Sequence, residues 1–331
     1  MKRILAVAAL TAAILAGIAA LASGAGARSS GTRLSLVAYS TPRDAYAKLI
    51  PEFQKTAAGK DVDFDQSYGA SGEQARAVKS GLKADIVALS LEPDVASLVK
   101  AGLVGAAWKK NKSQGIVTRS VVVFAVRKGN PKKIRDWEDL VKPGVEVVTP
   151  NVQTSGGAKW NIMAAYGAML RKKKTHAQAV AYLRKLYGHI VSQDRSARDA
   201  LQTFLAGRGD VMLAYENEAI FANQNGQEVP YVIPTATIRI ENPLAVTARS
   251  QNKATARAFV NYLHSVPAQQ IFAKNGYRPV VPAAAKGFSF PVRPLLFSLK
   301  FLGGWAKVDK RFFDPNSGIV TRIQSQTGGA G

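Results

Sequence analysis

Val145-Glu146-Val147-Val148-Thr149 has the β-branched composition of a strand. Pro150-Asn151-Val152-Gln153-Thr154-Ser155-Gly156 carries it into an apolar helical pattern that opens Gly157-Ala158-Lys159-Trp160-Asn161. A strand that ends in small residues and starts a helix is half of a βαβ unit. The same grammar recurs in both directions. Upstream, 34–39, 62–68, 85–89 and 120–127 read as strands, with helices over 43–56 and 71–82. Downstream, helices are predicted over 157–170, 177–187 and 254–265, with a short buried strand over 210–215. This alternation predicts an α/β chain with parallel sheets and helices on both faces. No short-period repeat or low-complexity linker interrupts it.

The chain has 331 residues, enough for two domains. Its hydrophobic share of 47% and charged share of 20% supply a buried core and argue against disorder. The absence of cysteine excludes disulfides, thiolate metal sites, cysteine nucleophiles and a lipid-modified cysteine anchor. The three histidines, His176, His189 and His264, are scattered, so no metal site and no cofactor are expected. The net charge of +23 would attract nucleic acid, anionic surfaces or small anions. Its densest runs, Lys109-Lys110-Asn111-Lys112 and Arg171-Lys172-Lys173-Lys174, fall where turns are expected and read as solvated. No basic-region helix, zinc-finger spacing or aromatic RNA-binding motif is present, so nucleic acid is not expected as a partner.

Met1-Lys2-Arg3, the apolar run from Ile4 to Ala22 and Ala25-Gly26-Ala27 follow the order of a secretory signal peptide over 1–27, cleaved after Ala27. The alternative is an uncleaved anchor, since the run approaches the ~20 residues of a spanning helix. Either way the expected location is periplasmic or otherwise extracytoplasmic.

Three strands run into helix starts rich in small residues: Ser67-Tyr68-Gly69-Ala70-Ser71-Gly72, Thr154-Ser155-Gly156-Gly157-Ala158, and Asp194-Arg195-Ser196-Ala197. First-turn amides have no partner inside a helix, and the dipole there favours an anion. Ligands of open α/β sheets bind at such strand ends. Each start alone is also an ordinary N-cap. No Walker lysine and no dinucleotide fingerprint accompanies them.

Several motifs in order give the chain a family likeness. They are Gly69-Ala70-Ser71-Gly72-Glu73-Gln74-Ala75-Arg76-Ala77-Val78, Val126-Arg127-Lys128-Gly129-Asn130-Pro131, Asp136-Trp137-Glu138-Asp139-Leu140, Thr149 through Asn161, Gly209-Asp210-Val211 with Tyr215-Glu216-Asn217-Glu218-Ala219, Tyr277-Arg278-Pro279, and Gly303-Gly304-Trp305. The chain resembles the sulfate-binding proteins of bacterial ABC importers, a family with thiosulfate-binding members. The resemblance implies a two-lobe periplasmic binding protein of type II, each lobe a mixed, mainly parallel sheet flanked by helices. It places one lobe at 33–117 plus 238–331 and the other at 118–237. It implies a monomer that binds sulfate or thiosulfate, delivers it to the permease subunits of an ABC importer and is not an enzyme. By position, the anion's donors would be the Ser71 backbone, the Ser155 hydroxyl, the Gly156 and Gly157 backbones and the Ala197 backbone. The family's last donor is a tryptophan indole, and this chain has Tyr215 there, a group that can donate and also accept.

A set of pure donors suits sulfate, which carries no proton near neutral pH. Hydrogen phosphate would leave its own O–H without an acceptor, at a cost of about 1–3 kcal/mol. The sequence leaves two other readings: a receptor for molybdate or phosphate, and an exported hydrolase using Ser71 or Ser155. No Gly-x-Ser-x-Gly surrounds either serine.

Overall fold

Apolar strand cores and amphipathic helices alternate through the computed structural model, which describes residues 31–327. The expected signal peptide over 1–27 lies outside the described residues. In chain order the elements are β1 (Thr32–Tyr39), α1 (Arg43–Gln54), β2 (Val62–Gly69), α2 (Ser71–Lys79), β3 (Ile86–Ala88), α3 (Glu92–Lys100), β4 (Ile116–Val126), β5 (Val147–Pro150), α4 (Gly156–Arg171), α5 (His176–Tyr187) and β6 (Ile190–Asp194). There follow α6 (Ala197–Leu205), β7 (Val211–Tyr215), α7 (Glu216–Gln224), β8 (Tyr231–Val232), β9 (Arg239–Val246), α8 (Lys253–Leu263), α9 (Val266–Lys274), α10 (Trp305–Phe312) and α11 (Ile319–Thr327).

The strands fall into two groups. In the first, β1 lies between β2 and β3, parallel to both. In the second, β5 lies between β6 and β7, again parallel to both. Two long strands join the groups. β4 pairs with β9 through Ile116–Val121 and with β7 through Val122–Val126. β9 pairs with β4 through Arg239–Pro243 and with β3 through Leu244–Val246. The ladder path β2-β1-β3-β9-β4-β7-β5-β6 is therefore unbroken. Every pairing made by β4 or β9 is antiparallel. The sheet is thus mixed where plain βα alternation predicted parallel strands, because antiparallel neighbours need no crossover helix between them.

α1 turns Ala45, Tyr46, Leu49, Ile50 and Phe53 inward, a helical stripe that meets Phe259 and Phe272 beneath the first group. α4 is buried on nearly every side. Part of its cover comes from the C-terminus: Trp305 packs edge-on against Trp160 with ring centroids 4.8 Å apart, and Phe312 lies 4.7 Å from Tyr166. Residues 238–331, expected together in the first lobe, pack against both groups. α8 and α9 cover the first group, α10 packs on α4 through Trp305 and Phe312 and also meets α3 of the first group, and α11 packs on α5. The apolar faces Trp305-Val308-Phe312 and Val320-Ile323 complete a core that α4 would otherwise expose.

Candidate functional site

Four helices start where the two groups meet: α2 after β2, α4 after β5, α6 after β6 and α7 after β7. Their caps differ. Ser196 caps α6 in the ordinary way, its hydroxyl accepting the Asp199 N–H at 3.2 Å. Ala70 has no side-chain cap to offer α2. Ser155 stands at the N-cap of α4, yet its side chain makes no capping bond. α7 carries Glu216 and Glu218 in its own first turn, so its positive end is already matched. It contributes Tyr215, its N-cap residue, as a side chain.

All six residues expected from the sequence come together around one small cavity. Ser71, Ser155, Gly156, Gly157, Ala197 and Tyr215 line it with Tyr39, Ser40, Thr41, Ala70 and Ser90. None of these residues carries a charge. The Ser71 hydroxyl is already engaged, donating to Asp94 Oδ2 at 2.5 Å and accepting the Ser90 N–H at 2.9 Å. Its own amide, at the first position of α2, is left for a ligand. The first-turn amides of Gly156, Gly157 and Ala197 are in the same position.

The glycines fit because of what approaches them. A Cβ on Gly156 would lie 2.6 Å from Ser90 Oγ and 2.7 Å from Leu91 Cγ, so this is where the first group presses on α4. A Cβ on Gly157 would sit 3.3 Å from Ser155 Oγ and 3.4 Å from the Ala197 Cβ, and larger branches would enter the cavity. Trp160 donates from Nε1 to the Ser90 carbonyl at 3.0 Å, and Asn161 ties α4 to β5 and β7 through Thr149 Oγ1 and the Leu213 carbonyl. The Gly72 N–H donates to the Thr154 carbonyl at 3.0 Å, a further bond between the two groups.

Four cations near the cavity are paired, and Arg43 at its mouth lies over the Tyr68 ring 5.1 Å from its centroid. Arg198 binds Glu218 through two bonds of 3.0 and 3.1 Å and reaches across to Asp44 at 3.0 Å. Burial works against its charge, but Glu218 and Asp44 outweigh that and hold it charged. Burial raises the Glu218 pKa, and Arg198 opposes the rise. Arg195 pairs with Glu73 at 2.6 Å, Lys159 with Asp309 at 2.6 Å, and Arg278 with Glu216 at 2.7 Å. Burial pushes the Tyr215 phenol well above its ordinary range, so it stays protonated. Burial also raises the Asp94 pKa, against the pull of the Ser71 hydroxyl. A wider cavity of about 490 Å3 shares Ser40 and Ala70 with the small one and is lined by Arg43, Glu73, Arg195 and Arg198. It forms the mouth of the cleft.

Sequence reasoning missed Ser90 and the Tyr39-Ser40-Thr41 corner. Both follow directly on predicted strands, and their position at strand ends was the available signal.

The family model for bacterial extracellular solute-binding proteins matches residues 34–278. The chain belongs to that family. Within it, the chain is 40% identical over 318 residues to a sulfate-binding protein of Synechococcus elongatus, covering 93% of this chain and 91% of the relative. A thiosulfate-binding protein of Pseudomonas aeruginosa is 34% identical over 323 residues, covering 93% and 96%. Among solved structures, the sulfate-binding protein SubI from Mycobacterium tuberculosis shares 44% identity at a TM-score of 0.83, covering 86% of this chain and 100% of that one. A solute-binding family is built to hold and release rather than to transform, so the chain is a binding protein and not an enzyme. Its family is extracellular. Among the described residues, no helix is long and apolar enough to cross a membrane.

Proposed function

We propose that this protein captures sulfate, or thiosulfate, in the small cavity between its two halves and delivers it to the permease of an ABC importer. The observation that carries this reading is the convergence of three first-turn amide sets and a non-capping serine hydroxyl on one cavity without a charged lining. Such donors suit a fully ionised dianion, which accepts at every oxygen. Charge-assisted hydrogen bonds of about 1.5–3 kcal/mol each offset the cost of dehydrating it. The paired cations leave the basic surface to steer anions toward the mouth, an effect that salt weakens. The named relatives bind sulfate and thiosulfate, in keeping with this chemistry.

The two halves act as lobes in this reading, with the hinge where β4 and β9 pass between them. Ser71 stands on one lobe and Ser155, Gly156, Gly157 and Ala197 on the other, so the anion bridges them and favours closure. The protein works as a monomer, exported on the leader over 1–27. Calorimetric titration with sulfate, thiosulfate, molybdate and hydrogen phosphate tests the reading. Sulfate or thiosulfate should bind one to one and ahead of the other two; a stronger response to molybdate or phosphate would reassign the ligand.

A further inference from the structure

Ser90 lies beneath the cavity where the two halves touch. Its amide is bound to Ser71 Oγ, and its carbonyl accepts from Trp160 Nε1 at 3.0 Å and from Asn242 Nδ2 at 3.3 Å. The backbone is therefore fixed from both sides. Its hydroxyl lies 2.7 Å from the Tyr215 hydroxyl, and either oxygen can be the donor. Both residues are 1% exposed and both line the cavity.

Two hydroxyls in contact hold two protons, and one is used between them. When Ser90 donates to Tyr215, the phenol O–H is left for the cavity. When the order reverses, Tyr215 donates to Ser90, the phenol oxygen becomes free to accept, and the serine proton turns to the cavity. The other donors there are backbone N–H groups, the Ser155 hydroxyl and the Tyr39 phenol, which lines the same cavity without a partner of its own. We propose that Ser90 is a specificity-determining residue: paired with Tyr215, it lets the site accept one proton as well as give one, and so admits a singly protonated tetrahedral oxyanion beside sulfate. The inference rests on the anion-binding reading above.

With sulfate bound, Ser90 donates to Tyr215 and Tyr215 donates to the anion. With hydrogen phosphate bound, the anion's O–H donates to Tyr215, which donates to Ser90, and Ser90 donates to a second anion oxygen. Without the serine hydroxyl, Tyr215 still serves sulfate. It can accept from hydrogen phosphate only by leaving its own proton without a partner.

The test is calorimetric titration of wild type and Ser90→Ala with sulfate and with inorganic phosphate at about pH 8, where phosphate is the singly protonated dianion. Melting temperatures without ligand verify folding. Wild type should take up both anions, sulfate more tightly. Ser90→Ala should weaken hydrogen phosphate about tenfold more than it weakens sulfate, the cost of one buried unsatisfied hydroxyl. Tyr215→Phe, the second variant, should lose hydrogen phosphate and also weaken sulfate. No uptake of hydrogen phosphate by wild type, or an equal change for both anions in Ser90→Ala, overturns the role of Ser90 while sulfate binding stands. Failure of wild type to bind sulfate overturns the anion-binding reading itself, and this inference with it.

Discussion

Ser155 and Ser196 hold the same position on two neighbouring helices and use it differently. Ser196 accepts the Asp199 N–H and so completes α6. Ser155 leaves α4 uncapped, although it is only 4% exposed. Buried polar groups are normally satisfied. A serine that could cap and does not, beside two glycines and an uncharged cavity, leaves its hydroxyl free to donate there, which is the role proposed for it. Capping decides what each serine side chain does, and the residue type alone does not; the Ala197 amide of the capped helix α6 still lies at the cavity.

The largest expected effect comes from filling the space in front of Ser155. Gly157→Val should put its branches into the cavity and lower sulfate affinity more than a hundredfold in the folded fraction, with a modest loss of melting temperature because its Cβ already meets Ser155 Oγ and the Ala197 Cβ closely. If Gly157 were only a turn residue, stability would fall and the folded fraction would bind normally.

The two serines separate next. Ser155→Ala should weaken sulfate about ten- to hundredfold, the value of one charge-assisted bond, with stability unchanged. Ser196→Ala should do the reverse, lowering unfolding free energy by about 1 kcal/mol with affinity changed only a few-fold. Paired titration and denaturant melts of both variants read the crossing directly, and parallel losses would erase the distinction.

Tyr215 comes third. Tyr215→Phe should cost sulfate about tenfold through the lost phenol donor. Tyr215→Trp, which restores a group that can only donate, should keep sulfate and reject hydrogen phosphate more strictly than wild type. Unchanged sulfate affinity in the Phe variant would remove Tyr215 from the site.

The smallest effect lies far from the cleft, at His176. Its Nδ1 meets the Tyr166 hydroxyl at 2.8 Å and its Nε2 accepts from Arg311 at 2.9 Å, joining α5 to α10. Burial, then Arg311, lowers its pKa below 6.5. The folded state therefore takes up the proton later than the unfolded chain. The contribution is complete above pH 6.5 and is lost as pH falls through 6.5 toward the lowered folded value. Wild type should lose slightly more melting temperature than His176→Gln across that window, with sulfate affinity unaffected.

Much of the cleft was legible in the sequence because helix starts with small residues are local features, and the family motifs fix their order. Ser71, Ser155, Gly156, Gly157, Ala197 and Tyr215 were picked out that way, and all six line the small cavity. Ser90 was not, because its significance depends on Tyr215, far along the chain, meeting it across the cleft. The pairing of Arg198 with Glu218 and Asp44 was hidden for the same reason. β9 escaped notice because Arg239, Glu241 and Pro243 interrupt an apolar run, as suits a strand that passes between two halves. The spacing of Trp305, Val308 and Phe312 shows a helix face, but the sequence does not say which half receives it.

The most direct test of the central claim is a crystal structure of the protein with sulfate. Its oxygens are expected about 2.7–3.2 Å from the amides of Ser71, Gly156, Gly157 and Ala197 and from Ser155 Oγ, with no lysine or arginine nitrogen among the partners. Sulfate held instead at the mouth of the cleft by Arg43 or Arg195, with the inner cavity left to water, would contradict it.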